Sequence, residues 1–274
     1  MTDTQKNALL GALIRPVVEA GHVIMDVYEG DIAVVTKDDQ SPVTEADGRA
    51  EAVLLAAIER LTPDITTVAE EAASAGGLPA EAPDVFWLID PLDGTKEFIK
   101  KRTDFTVNVA LVEQGIPTLG LVYAPARNAL FGGIVGEGAF TQDIAPLAGA
   151  DLARALSNAV RTPIRVRTAD LASLTVVASK SHRDDATNKY LERRGIRDIR
   201  SAGSSLKFCL LARGEADLYP RFGPTMEWDT AAGHAVLAAA GGAVFTPEGE
   251  PFIYGKPDFR NGGFIAVADP AVGV

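Results

Sequence analysis

Apolar positions recur at near-helical spacing through residues 7–28, at Leu10, Leu13, Ile14, Val17, Ile24, Met25 and Tyr28, and predict a long helix. Pro16 either starts the main part of that helix or kinks it. Residues 32–36 read as a strand and residues 37–42 as a turn or mobile loop. Val43-Thr44-Glu45-Ala46-Asp47 then opens a second helix, with Val53, Leu54, Ala57, Ile58 and Leu61 on one face. Residues 64–69 are a strand-like run ending in Glu70-Glu71, and residues 72–83, rich in Ala, Gly and Pro, read as an exposed loop. Residues 85–89 form a short apolar run between Pro83 and Pro91, the pattern of a buried strand. Residues 103–113 and 118–124 are apolar strands joined by a hairpin at 114–117, and residues 130–135 are a third. These three read as scaffold, and residues 141–162 as a bridge between two lobes. The second half alternates strand and helix, at 174–179, 185–194, 196–200, 206–213 and 216–219, before short strands near Val244 and at 264–267. Strand–helix alternation predicts α/β layering.

Chemistry concentrates where the 85–89 run ends. Asp90 and Asp93 follow one another on a stretch stiffened by Pro91, with Gly94 permitting a sharp turn and the Thr95 hydroxyl just beyond. Two crowded carboxylates repel unless a cation or proton lies between them. Magnesium, a hard cation, takes oxygen ligands, often one or two carboxylates with waters and a substrate phosphate. The alternative is a pair of turn aspartates bonded to their own backbone. Thr44 and Asp47 have capping-box spacing, and Asp229 stands where an Ala-rich helix begins, so both can serve as caps. Paired glutamates such as Glu70-Glu71 are commonly just solvated. Gly203-Ser204-Ser205 before a helix offers backbone donors and hydroxyls to an anion, or a cap to the helix.

A 274-residue chain that is 47% hydrophobic and 23% charged has an ordinary globular balance and length for a sizeable core. No apolar run approaches the ~20 residues of a membrane span, so no integral membrane segment is expected. The N-terminus does not read as a signal peptide. A single cysteine, Cys209, excludes an internal disulfide framework and fits a reducing cytoplasm, free or at the inner membrane face. The net charge of −11 argues against a nucleic-acid polymer as partner. The charge is unevenly spread. Residues 1–100 hold 7 Lys/Arg against 19 Asp/Glu, whereas residues 161–200 hold 10 against 5. An acidic half suited to cations thus precedes a basic segment suited to anions.

Asp90-Pro91-Leu92-Asp93-Gly94-Thr95 resembles the metal-binding signature of the inositol monophosphatase superfamily, magnesium-dependent and lithium-sensitive phosphatases. Leu92-Asp93-Gly94-Thr95-Lys96-Glu97-Phe98 is similar to the branch that hydrolyses 3'(2'),5'-bisphosphate nucleotides. Further blocks carry the resemblance from about Val17 to the C-terminus: Ser41 to Asp47, Glu70-Glu71, Ser179-Lys180-Ser181-His182, Gly203 to Phe208, Tyr219 to Pro224, and Glu227 to His234.

The resemblance implies stacked α-β-α-β-α layers, with a metal-binding lobe at 1–150 and a nucleotide-binding lobe at 151–274 forming one functional unit. It implies that Glu70, Asp90, Asp93, Asp229 and the Leu92 carbonyl hold two or three magnesium ions around a 3'-phosphate. Water polarised by Glu70 and the Thr95–Asp47 pair then attacks phosphorus, so Asp47, Glu70 and Thr95 are catalytic. Substrate contacts fall to Asp93, Gly94, Thr95, His182, Ser204, Ser205, Lys207, Arg221 and Asp229, with Lys207 and Arg221 on a second phosphate away from the metals. The implied substrate is adenosine 3',5'-bisphosphate (PAP), with the sulfated nucleotide PAPS as a second, beside sulfate assimilation. An inositol or sugar phosphate, or a nucleotide sensor without catalysis, are the alternatives. Oligomeric state is not legible.

Overall fold

The computed structural model describes residues 1–36, 42–179, 184–196 and 199–274. Among these the helices are α1 Asp3–Glu29, α2 Glu45–Leu61, α3 Glu70–Ser74, α4 Thr95–Ile99, α5 Gly149–Asn158, α6 Asp185–Arg193, α7 Leu206–Ala212 and α8 Ala231–Ala239. The strands of the first half are β1 Val34–Thr36, β2 Pro42–Thr44, β3 Thr66–Ala69, β4 Val85–Asp93, β5 Thr106–Glu113, β6 Ile116–Ala124, β7 Ala129–Ile134, β8 Gly138–Asp143 and β9 Thr162–Ile164. Those of the second half are β10 Val176–Ser179, β11 Ile199–Ala202, β12 Leu218–Arg221, β13 Thr225–Met226, β14 Ala243–Phe245, β15 Arg260–Asn261 and β16 Phe264–Val267. Strands β3 to β9 make a seven-stranded sheet in sequence order, and β11-β10-β12-β16-β14 make a five-stranded one.

The period-2 alternation of buried strands builds the layers. On β4 and β5, Trp87, Ile89, Val107, Val109 and Leu111 face α1 and α2, while Phe86, Leu88, Ala110 and Val112 face the other way. There they meet α7 and α8 and the inner face of the smaller sheet, including Val177, Tyr219, Phe264 and Ala266. The outer face of that sheet, with Val176, Leu218, Ile265 and Val267, is covered by Tyr190 and Leu191 of α6. The order is therefore helix, seven-stranded sheet, helix, five-stranded sheet, helix, the α-β-α-β-α sandwich expected. Loops of both sheets line one cavity.

Four local expectations need correction. Helix α1 starts at Asp3, capped by Thr2 in a capping box with Gln5, so Pro16 is not its start; it lies buried in the interior and leaves out one i→i−4 bond. Contrary to the reading that no apolar run approaches a span, α1 is long and apolar enough by length and composition alone to cross a bilayer. Its apolar stripe (Leu10, Leu13, Val17, Ile24) is instead buried in the cluster formed with β4 to β7. The hairpin is tighter than predicted, with Gln114 and Gly115 alone at its tip, both at positive φ (49° and 78°), and Ile116 already paired with Glu113. The expected turn at 37–42 lies, for 37–41, outside the described residues.

The fourth correction matters most for the site. Strand β4 does not stop at Asp90 but continues to Asp93, with the register slipping between them. Asp90 pairs with Asn108 and Asp93 with Thr106, so three steps on β4 answer two on β5. Pro91 has no N–H to give the ladder, and an extra residue is bulged out there. In a regular strand, residues three apart point to opposite faces. The bulge restores parity and turns both aspartates to the face shared by Asn108 and Thr106.

Candidate active site

The β4 bulge is held by its own groups. Asp90 Oδ1 accepts the Leu92 N–H at 3.0 Å, and the Thr95 hydroxyl lies 3.1 Å from the Leu92 carbonyl. Gly94, at φ +94°, turns the chain into α4, a conformation that L side chains rarely adopt. Thr95 also reaches Asp47 Oδ1 at 3.3 Å, which brings the start of α2 to the end of β4. The other oxygen of Asp47 accepts the backbone N–H (2.8 Å) and the hydroxyl (2.7 Å) of Thr44, the N-cap of α2. Capping and a place at the site are thus one geometry. Burial, the larger influence, holds the Asp47 carboxyl above its usual range despite those two bonds.

Glu70 is brought in by a neighbour that the sequence reading passed over. Glu51, on α2 four residues after Asp47, accepts the Glu71 N–H at 2.8 Å and the Ala72 N–H at 3.0 Å. It thereby caps α3 and seats Glu70-Glu71 against α2. The signal was available: Asp47, Glu51, Leu54 and Ile58 share a helical stripe, and an acid on an apolar stripe needs a partner.

The second half closes over these groups. Ser205 donates its N–H to Asp93 at 2.8 Å and its hydroxyl to the Asp229 carbonyl at 2.8 Å. Asp229 does not cap α8; its carboxylate accepts the Met226 N–H at 2.9 Å within the short turn Glu227–Asp229. The 203–205 loop packs so closely on the first half that a Cβ at Gly203 would stand 2.6 Å from the Asp104 backbone oxygen. Lys207, 2% exposed, gives Nζ to the carbonyls of Ser204 (2.6 Å) and Ala202 (3.4 Å) and lies 5.1 Å from the centre of the Tyr219 ring.

The electrostatics are those of an over-filled acidic pocket with a basic wall. Burial, then Glu70, Asp93 and Asp229, drive Asp90 well above the carboxylate range. Burial and Asp93 push Asp229 up to about 8. Asp93 is raised by burial too, but Lys207, Arg221, the Ser205 N–H and Asn108 pull it back. Lys207 is itself pushed down to about 8 by burial, against the attraction of Asp93.

A cavity of about 220 Å³ opens above these groups. Of the predicted site residues, Glu70, Asp93, Gly94, Thr95, Ser204, Lys207, Arg221 and Asp229 line it. Asp47, Asp90 and Leu92 are bonded to that wall from beneath, and Ser205 is turned inward onto Asp93 and Asp229. His182 lies outside the described residues. Besides Glu51, the reading missed Thr225 and Thr230 in the lining, both bonded by the buried Asn261 amide at 3.0 Å, and Asn108 below. Asn261 and Thr225 meet through distant strands, and no local pattern announces them.

The donor set suits a hard divalent cation. It is all oxygen, carries four carboxylates crowded enough that their neighbours raise the pKa of Asp90 and Asp229, and has the Leu92 carbonyl within it. The six buried side-chain polar atoms without a hydrogen-bond partner among the described residues belong to Thr106, Asn108, Ser204, Arg221 and Asn261, all around this cleft. Among the described residues no three acidic, His or Cys side chains stand ready as a closed cage. A cation that keeps several waters and shares a substrate phosphate needs none.

Residues 6–269 match the inositol monophosphatase family. The chain is 46% identical over 248 residues, 89% of its length, to the 3'(2'),5'-bisphosphate nucleotidase CysQ of Escherichia coli O6:H1, covering 94% of that protein. Among solved structures it is similar to CysQ from Bacteroides thetaiotaomicron (TM-score 0.77, 36% identity, 97% and 98% of the two chains). It is also similar to an inositol monophosphatase from Thermotoga maritima (TM-score 0.73, 30% identity, 93% and 90%).

Proposed function

This chain belongs to the inositol monophosphatase family, and from that premise we propose that it is a 3'(2'),5'-bisphosphate nucleotidase releasing the 3'-phosphate of PAP to leave AMP. The observation that carries this reading is the pairing of the acidic pocket with a cationic wall, the buried Lys207 and the half-buried Arg221, across one cavity. A single phosphate ester needs the acids; a substrate with two phosphates uses both sides.

Family members are generally metal-dependent phosphatases, and here two or three magnesium ions would be held by Glu70, Asp90, Asp93, Asp229 and the Leu92 carbonyl. Bound there, magnesium neutralises phosphate charge and makes water a stronger acid. The Thr95 hydroxyl has one proton and two acceptors in reach, Asp47 Oδ1 and the Leu92 carbonyl. With its proton on the Asp47 side, the hydroxyl can accept a hydrogen bond from the attacking water and pass its own proton to the Asp47 carboxylate as it receives one, with Glu70 as a second acceptor. Lys207 spends two of its three N–H groups on loop carbonyls and keeps one for a phosphate. Arg221 donates to the Pro224 carbonyl at 3.3 Å and retains a fork for the remote phosphate, next to Ser204. Residues 1–150 act as the metal lobe and 151–274 as the nucleotide lobe of one unit. PAPS is a second substrate, and the enzyme works in the cytoplasm, free or at the inner membrane face.

Phosphate release from PAP, AMP and inositol 1-phosphate, with magnesium and with excess chelator, tests the proposal. PAP should be hydrolysed far faster than the other two and not at all in chelator. Preference for inositol 1-phosphate would overturn the substrate assignment, and undiminished turnover in chelator would overturn the metal dependence.

A further inference from the structure

Strand β5 is buried along almost its whole length, and a buried strand is ordinarily filled with apolar side chains. Its outer-facing positions are Val107, Val109 and Leu111, and its inner-facing ones include Ala110 and Val112. At the inner positions nearest the site the pattern breaks, with Thr106 and Asn108, both 0% exposed. An asparagine amide brings two donors and a two-lone-pair acceptor. Neither end of the Asn108 amide, nor the Thr106 hydroxyl, has a partner of hydrogen-bond geometry. Leucine or valine would fill the place without that cost.

The position of these groups supplies the reason. Asn108 stands directly across from Asp90 and Thr106 across from Asp93, on the face to which the β4 bulge turns both carboxylates. The Asn108 amide lies beside the Asp93 carboxylate without a hydrogen bond of full geometry to it. We propose that Asn108 is a positioning residue for the cation site: its amide supports the Asp90 and Asp93 side chains from beneath and fixes which oxygens they turn into the cavity, with Thr106 as its companion. The assignment rests on the reading of Asp90 and Asp93 as magnesium ligands. Outer groups that orient metal ligands commonly change metal affinity 10–100-fold when lost.

The test is calorimetric titration of magnesium into metal-free protein without substrate, for wild type and Asn108→Leu, beside the melting temperature of each metal-free protein. Leucine removes the unbonded amide, so the metal-free variant should melt no lower than wild type. Its magnesium affinity should nevertheless fall by about 10–100-fold. Should leucine not be housed, Asn108→Thr removes the amide in a strand-compatible shape and is read in the same way. Wild-type affinity in a folded variant overturns the positioning role and leaves the enzyme reading intact. A wild type that takes up no magnesium overturns the reading itself, and this assignment with it.

Discussion

Asp93 draws together groups from both halves of the chain: the Ser205 N–H, the charges of Lys207 and Arg221, and its own place at the end of β4. Replacing it with Asn keeps the size and most of the hydrogen bonding but removes one ligand charge. We expect kcat to fall by orders of magnitude while the melting temperature holds, since the loss is felt mainly where the transition state gathers charge. Near wild-type kcat in Asp93→Asn would return this residue to the status of a turn aspartate. Asp229 allows a test through pH. Its carboxyl is raised from 3.8 to about 8, so between those values the folded chain keeps a proton that the unfolded chain has lost. The folded state then binds more protons, and stability must fall as pH rises through that window and level off above it. Asp90 and Asp93, also raised, add the same sign. Metal-free protein should therefore melt lower at about pH 8 than at about pH 5, with a flatter slope in Asp229→Asn. Magnesium should recover more stability at the higher pH, because its ligands must first shed protons. A metal-free melting curve that rises across this range would contradict the assignment.

At the scale of elements, the site depends on where helices and strands end. The Asp90–Asp93 stretch was legible because its chemistry is compressed into a few residues, but its conformation was not. Pro91 reads as a strand terminator, whereas in the sheet it is absorbed by a bulge that lets the strand run on. The Thr44–Asp47 box was legible because capping spacing is local. Glu51 was not, since its partners are the N–H groups of another helix, twenty and twenty-one residues away. Its role leads to a prediction. Glu51→Gln puts an amide where two backbone donors converge, so it should destabilise the fold by about 1–3 kcal/mol. It should also lower kcat, because Glu70 rides on the helix that Glu51 caps. Urea denaturation and phosphate release on the same preparation separate the two effects. Lost stability with unchanged kcat would show that α3 is not what positions Glu70.

For the whole molecule, the five layers bring a carboxylate-rich edge of the larger sheet against a loop and strand of the smaller one. Strand alternation and helical periodicity made the layers legible, and the acidic excess of residues 1–100 foreshadowed one wall of the cavity; the basic excess at 161–200 did not foreshadow the other, whose cations, Lys207 and Arg221, lie beyond that segment. What could not be read was the contact between them: Ser205 on Asp93, Asp104 on the Gly203 loop, Asn261 on Thr225 and Thr230. Such pairs join positions about a hundred residues apart or lie on separate short strands, and no local spacing encodes them. The central claim is that the basic wall recognises a second phosphate remote from the reacting one. Arg221 is its most direct test, measured as kcat/KM of wild type and Arg221→Ala on PAP and on inositol 1-phosphate. Hydrogen bonds to charged groups contribute roughly 1.5–3 kcal/mol each, so the variant should lose about ten- to a hundredfold or more on PAP. Slow hydrolysis of inositol 1-phosphate should change little, since that substrate has no second phosphate to reach Arg221. An equal loss on both substrates, or a wild type that prefers the inositol ester, would contradict the account.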